Sequence, residues 1–236
     1  MESGSRNNMQ RDFWEERWQK GETGFHQDIL NPYLAYFYGE KGPALAARQS
    51  LKVFVPLCGK SLDMLWLAQN GYQVLGIECS DIAIKDFFQE HKLEYRVEPG
   101  QPFIRYVSEE KTGQSRIEIL HGDFFDLAPA DLEGITDIYD RASMIALPET
   151  MRLDYFKKML ELQTEGMRTL LITLTYPQQE MDGPPFSVTE NELNELYGEA
   201  FKIDKLLGKD ILVDEPRFQQ RGLSSLYETA YKLTRK

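Results

Sequence analysis

The spacing of apolar residues changes period repeatedly along this chain, and each change marks an element. DFWEERWQK (12–20) groups Phe13, Trp14 and Trp18 on one side and sends Glu15, Glu16 and Lys20 elsewhere, which predicts a short amphipathic helix starting near Asp12 and stopped by Gly21. GETGFHQDILN predicts a loop, and Pro32 predicts the first turn of a second helix running through Phe37. LKVFV (51–55) is an apolar run of strand length. SLDMLWLAQNG then carries Leu62, Leu65, Trp66 and Ala68 as a helical stripe closed by Gly71. YQVLGIE (72–78) reads as a second strand, after which Ser80 or Asp81 caps a helix in DIAIKDFFQEHK with Ile82, Phe87 and Phe88 turned inward.

EYRV, PFIRYVS and RIEILHG predict shorter strands, with KTGQ as a hairpin turn between the last two, so this stretch reads as a partly antiparallel insertion. Alternation resumes with ITDIYD (135–140), a helix in PETMRLDYFKKMLELQ with Pro148 near its first turn, and TLLITLTY (169–176). YPQQEMDGPPFSV is a Pro/Gly loop, TENELNELYGEA a helix capped by Thr189, and FKIDKLLG and SLYETAYKLTR two half-exposed strands. The expected fold is α/β: a doubly wound, mostly parallel, seven-stranded sheet with an antiparallel strand near the C-terminus. Residues 1–11 are expected to be a poorly ordered lead-in, and 12–236 a single domain with a helical cover at 12–40.

Composition narrows the function classes. No run of 18 or more apolar residues occurs and MESGSRNNMQRD has no apolar signal core, so neither membrane insertion nor secretion is indicated and a cytoplasmic address is expected. Cys58 and Cys79 form no CxxC pair, and the three histidines stand apart at 26, 91 and 121, so neither a metal site nor a disulfide is expected. A net charge of −11 argues against a nucleic-acid partner, since phosphate binding relies on Lys and Arg. A small-molecule substrate and a monomer are the expectation.

VFVPLCGKSLDM (53–64) contains Gly-Lys-Ser after a strand, which invites comparison with a phosphate cradle. That cradle needs a second glycine five residues before Gly59, where this chain has Phe54. What remains is a strand, a tight turn at 56–59 and a helix, the kind of strand end at which open α/β sheets bind ligands. Three further strand ends carry candidate groups: Glu78, Asp123 and the pair Asp140-Arg141. Glu78 follows Gly59 by 19 residues, near the spacing of about 20 at which an acidic side chain accepts hydrogen bonds from both ribose hydroxyls. The turn lacks GxGxxG and so suits a nucleoside without pyrophosphate better than NAD or FAD. S-adenosylmethionine is such a ligand, and Gly59 supplies the one small residue its approach requires.

PLCGKSLDM, GIECS, GDFFDL, DRASMIALP and GPPFSV, preceded by FWEERWQKGETGFH and NPYL, resemble the thiopurine S-methyltransferase family, in its bacterial form, from about Phe13 to the C-terminus. The resemblance implies a Rossmann-like class I methyltransferase fold with S-adenosylmethionine as cofactor and S-adenosylhomocysteine as product. It implies that Trp14, Trp18 and Phe25 close over the cofactor and that Leu57 and Gly59 meet it from the turn. Glu78 would hold the ribose, Asp123 and Phe124 would flank adenine, and Arg141 would lie near the reactive end of the cofactor and the acceptor. Arg217 matches a second arginine that the family places near the acceptor. Both arginines are the catalytic candidates, because a nearby guanidinium favours the thiolate form of a thiol.

Alone, Trp14 and Trp18 would read as the apolar face of a docking helix, Arg141 as half of an ion pair with Asp140, and Cys58 as turn packing. Asp28 and His26 are both open as proton relays, and no general base is assigned. The implied acceptor is the sulfur of a small aromatic or heterocyclic thiol. Selenium or tellurium species, an oxygen or nitrogen acceptor, and a non-catalytic cofactor-binding protein are the alternatives. The loops at 21–30 and 177–188 are expected to shape the acceptor site.

Overall fold

The computed structural model describes residues 3–236 except 25, 28, 110 and 112, with side chains described from residue 12 onward. Two compact units divide the chain, Met1–Leu127 and Ala128–Lys236.

In the first unit the helices are α1 (Ser3–Lys20), α2 (Pro32–Leu34, prolonged by a π-helical turn Ala35–Glu40), α3 (Leu45–Arg48), α4 (Leu62–Gln69) and α5 (Asp81–Glu90). The strands are β1 (Lys52–Val55), β2 (Gln73–Glu78), β3 (Tyr95–Glu98), β4 (Ile104–Ser108) and β5 (Ile117–His121), ordered β3-β4-β5-β2-β1. β2 pairs in parallel with β1 and β5, whereas β4 runs against β3 and β5. β3 and β4 are the antiparallel insertion expected from EYRV and PFIRYVS, and they extend the sheet beyond the seven strands foreseen. The KTGQ turn keeps a bridge between Lys111 and Gln114, while Thr112 lies outside the described residues.

Helix α1 begins at Ser3, so it includes residues 3–11 ahead of the start expected at Asp12. That segment is polar, and periodicity gives no sign of a helix without an apolar stripe. Val53, Phe54 and Val55 are buried as an apolar run with helices on either side should be. Cys58 packs across the sheet: a Cβ built on Gly76 of β2 would lie 2.7 Å from its Sγ, so only glycine fits there.

In the second unit β6 (Ile135–Arg141), β7 (Arg168–Thr175), β8 (Phe201–Asp210) and β9 (Tyr227–Arg235) take the order β6-β7-β9-β8. β6 and β7 are parallel, and β9 runs against both β7 and β8. Its helices are α6 (Glu149–Leu162), α7 (Glu190–Tyr197) and α8 (Pro216–Gln220), with single 3-10 turns between several elements. Thr189 caps α7 by accepting from Glu192 N at 3.1 Å, as its position ahead of an acidic first turn predicts. Helix α8 was not foreseen, since five residues are too few for a periodic pattern. Within each unit one strand opposes the rest, so the fold is the mostly parallel α/β type expected. No helix among the described residues is long and apolar enough to cross a membrane.

Candidate functional site

The turn after β1 holds two left-handed residues within three positions. Leu57 (φ 44°) and Gly59 (φ 51°) both adopt left-handed conformations, which for leucine is a strained choice held by its surroundings. The turn is held by Cys58 N, which donates to Ile77 O at 2.9 Å, and by Gly59 N, which donates to Glu78 Oε2 at 2.8 Å. Trp18 of α1 covers it: a Cβ on Gly59 would come within 3.1 Å of the indole. Lys60 turns away and pairs with Glu90 at 2.5 Å, so the lysine that gave the stretch its phosphate-like look is occupied by a carboxylate.

Glu78 ends β2 and is 6% exposed. Its Oε1 accepts from Ser80 N at 2.9 Å and lies 3.4 Å from Cys79 Sγ. Burial raises the carboxyl above its ordinary pKa, and the N–H groups of Ser80 and Gly59 oppose that by stabilising the charged form. Gly122 N donates to Glu78 O at 3.0 Å, which brings the end of β5, and Asp123 after it, beside Glu78. Asp123 Oδ1 accepts from Phe125 N at 2.9 Å and caps the 3-10 turn Phe124–Asp126. Phe124 is buried and meets Phe125 edge-on at 5.3 Å.

Trp18, Gly59, Glu78 and Asp123 are therefore brought together by consecutive contacts, with Leu57 in the same turn. Trp14 is half-buried on α1, edge-on to Phe13 at 5.2 Å. Phe25 and Asp28 lie outside the described residues, and His26 is half-buried in the loop after α1. Cys58 is buried and its thiol is pushed well up, first by desolvation and then by the Glu78 charge, which suits packing and not nucleophilic attack. The cluster is a buried carboxylate whose Oε2 accepts from Gly59 N and whose Oε1 accepts from Ser80 N beside the Cys79 thiol, with the Trp18 indole against the face of Gly59.

In the second unit Arg141 is the last residue of β6, half-buried, and Ala142 after it is left-handed (φ 61°). Asp140 is buried; its Oδ2 accepts from Tyr155 OH at 2.8 Å and its Oδ1 from Met144 N at 3.4 Å. Desolvation raises its pKa to about 6 despite those donors. Arg217 sits on α8, exposed, with Nε 3.0 Å from Glu215 Oε2 and its guanidinium 4.8 Å from the Phe218 ring centroid.

The 177–188 loop is cross-tied. Gln178 Nε2 donates to Met181 O at 2.7 Å and its Oε1 accepts from Ser187 N at 2.8 Å, while Tyr176 OH donates to Pro185 O at 2.6 Å. Glu180 accepts from Ser224 N and Oγ, both at 2.8 Å, tying the loop to the segment that follows α8. Sequence reasoning named Asp140 with Arg141 at the end of a strand but passed over Tyr155 and these ties. The one available signal was the polar tip of Tyr155 inside the apolar stripe of α6.

A sequence model of the thiopurine S-methyltransferase family matches residues 9–236. The chain belongs to that family. The thiopurine S-methyltransferase of Marinobacter nauticus is 41% identical over 97% of this chain and 100% of its own length. Among solved structures, an S-adenosylmethionine-dependent methyltransferase from Anabaena variabilis superposes with a TM-score of 0.62 at 16% identity, covering 96% of this chain and 95% of its own. A Burkholderia thailandensis N1-methyltransferase, solved with S-adenosylhomocysteine, has a TM-score of 0.60 at 13% identity, covering 98% and 90%. The family member described here is an S-adenosylmethionine-dependent S-methyltransferase with the class I fold, as its motifs imply.

Proposed function

We propose that the protein methylates the sulfur of a small aromatic or heterocyclic thiol of the thiopurine kind, acting in the cytoplasm as a monomer and as one working domain, with no nucleic-acid partner. The carrying observation is the contact chain Trp18–Gly59–Glu78–Gly122 at the ends of β1, β2 and β5, with Asp123 next in sequence. Bound S-adenosylmethionine supplies an electrophilic methyl group on a sulfonium. Glu78 accepts the ribose hydroxyls, Asp123 and Phe124 flank the base, and Leu57 and Gly59 give the ligand backbone to lie against. Trp14 and Trp18 supply an aromatic cover, whose faces attract a cationic sulfur and exclude water.

Methyl transfer from a sulfonium needs no proton on the leaving group, so the residues' task is to orient the acceptor and keep it ionised. Arg141 and Arg217 favour the thiolate over the thiol. The test is titration calorimetry with S-adenosylhomocysteine, followed by an acceptor screen of aromatic thiols against matching phenols and amines. Binding with methylation confined to the thiols is expected. Absence of binding at millimolar ligand would sink the cofactor reading, and turnover confined to phenols or amines would sink the acceptor reading.

A further inference from the structure

The segment that leaves β6 after Arg141 is fixed at three points by the second unit's own groups. Asp140 Oδ1 accepts from Met144 N at 3.4 Å, bracketing the left-handed Ala142. Ile145 O accepts from Phe186 N, in the GPPFSV stretch, at 2.7 Å. Leu147 O accepts from Arg152 Nη1 at 3.1 Å, and Arg152 is itself buried and clamped to Glu192 through Nε (2.5 Å) and Nη2 (3.0 Å). The Arg152 anchor is a fully paired ion pair that serves α6 and α7. Asp140 is different: its buried carboxylate is taken up by hydroxyls, the phenol of Tyr155 at 2.8 Å and the side chain of Ser143.

A buried carboxylate held by the Tyr155 phenol, the Ser143 hydroxyl and a backbone N–H at 3.4 Å is a costly way to stabilise a turn, because desolvation opposes the charge. An apolar residue would fill the same space at lower cost. The group makes sense where geometry matters more than stability: it holds the backbone one residue before Arg141 and, through Met144, the turn that meets the acceptor loop at Phe186. We infer that Asp140 and Tyr155 are a positioning pair that sets the direction of Arg141 and the seat of the 177–188 loop. The inference rests on the proposed role of Arg141 at the acceptor.

A double-mutant cycle tests it with the full-length enzyme. Tyr155→Phe removes one hydroxyl from a packed ring. It should lower kcat about 10-fold and raise the KM for the thiol, while S-adenosylhomocysteine affinity stays within about two-fold. In an Arg141→Ala background the same substitution should cost less than about two-fold, since its effect runs through that arginine. Equal losses in both backgrounds, or a Tyr155→Phe enzyme with unchanged kcat and KM, overturn the positioning role and leave the Arg141 reading intact. A silent Arg141→Ala fells that reading first, and the inference with it. Circular dichroism melts accompany each variant, and if Tyr155→Phe does not fold, Asp140→Asn takes its place in the cycle with the same expectations.

Discussion

Glu78 and Asp140 are the same kind of group in the same kind of place, a buried carboxylate at or next to the last residue of a parallel strand, and they are used in opposite ways. Both are raised in pKa by desolvation. Glu78 takes backbone N–H groups from Gly59 and Ser80, with the thiol of the adjacent Cys79 as a side-chain donor. Asp140 takes a phenol from α6 and closes back on its own turn. The first arrangement belongs to the carboxylate proposed to meet the ribose. The second commits the carboxylate to protein, next to the arginine proposed to meet the acceptor. What separates the two acids is which donors reach them, and those come from turns and helices beyond the strand itself.

The largest test of this contrast is Glu78→Ala, which should weaken S-adenosylhomocysteine binding about 100-fold in calorimetry, the scale of two hydrogen bonds to a charged group, with the fold retained. Unchanged affinity would place Glu78 with the scaffold acids. Next is Asp140→Asn in unfolding experiments across pH 4 to 7. Wild-type Asp140 titrates at about 6 in the folded chain against an ordinary 3.8, so the native state holds a proton that the unfolded chain has released. Stability from this group is therefore full below about 3.8 and is lost as pH rises to about 6, by about 3 kcal/mol. The asparagine variant should lack that slope, and an identical slope in both proteins would remove Asp140 from the account.

Gly59→Ala should come third: the left-handed φ and the indole 3.1 Å from the new Cβ predict a loss of about 1–2 kcal/mol in melts, with weaker cofactor binding as Trp18 shifts. The smallest effect belongs to Lys60→Met, which removes a partly exposed ion pair. It should change S-adenosylhomocysteine affinity less than about two-fold, and a larger change would reopen the phosphate-like reading of Gly59-Lys60-Ser61.

Most of the strand-helix alternation was legible, because β1, β2, β6 and β7 are buried on both faces and read as apolar runs of strand length. The place of Glu78 at the end of β2 was legible too, since a strand length plus a helix length fixes the distance from the first turn to the second strand end. Residues 3–11 and helix α8 were not, one for want of an apolar stripe and the other for its length. The Asp140–Tyr155 contact was hidden for a different reason. Fifteen residues and a change of element separate the partners, and no local pattern says which face of α6 will meet the end of β6. The cross-ties of the 177–188 loop belong to the same class. They are tertiary contacts between polar side chains in a segment whose composition announces only that it bends.

The packing of Cys58 against Gly76 also sorts the two thiols of this chain by their availability to reagents. With Cys58 buried and its ionisation opposed by the nearby carboxylate, an alkylating probe meets one half-exposed thiol among the described residues, at Cys79. Its Sγ stands 3.4 Å from Glu78 Oε1, so a single label per chain would read out what occupies the end of β2.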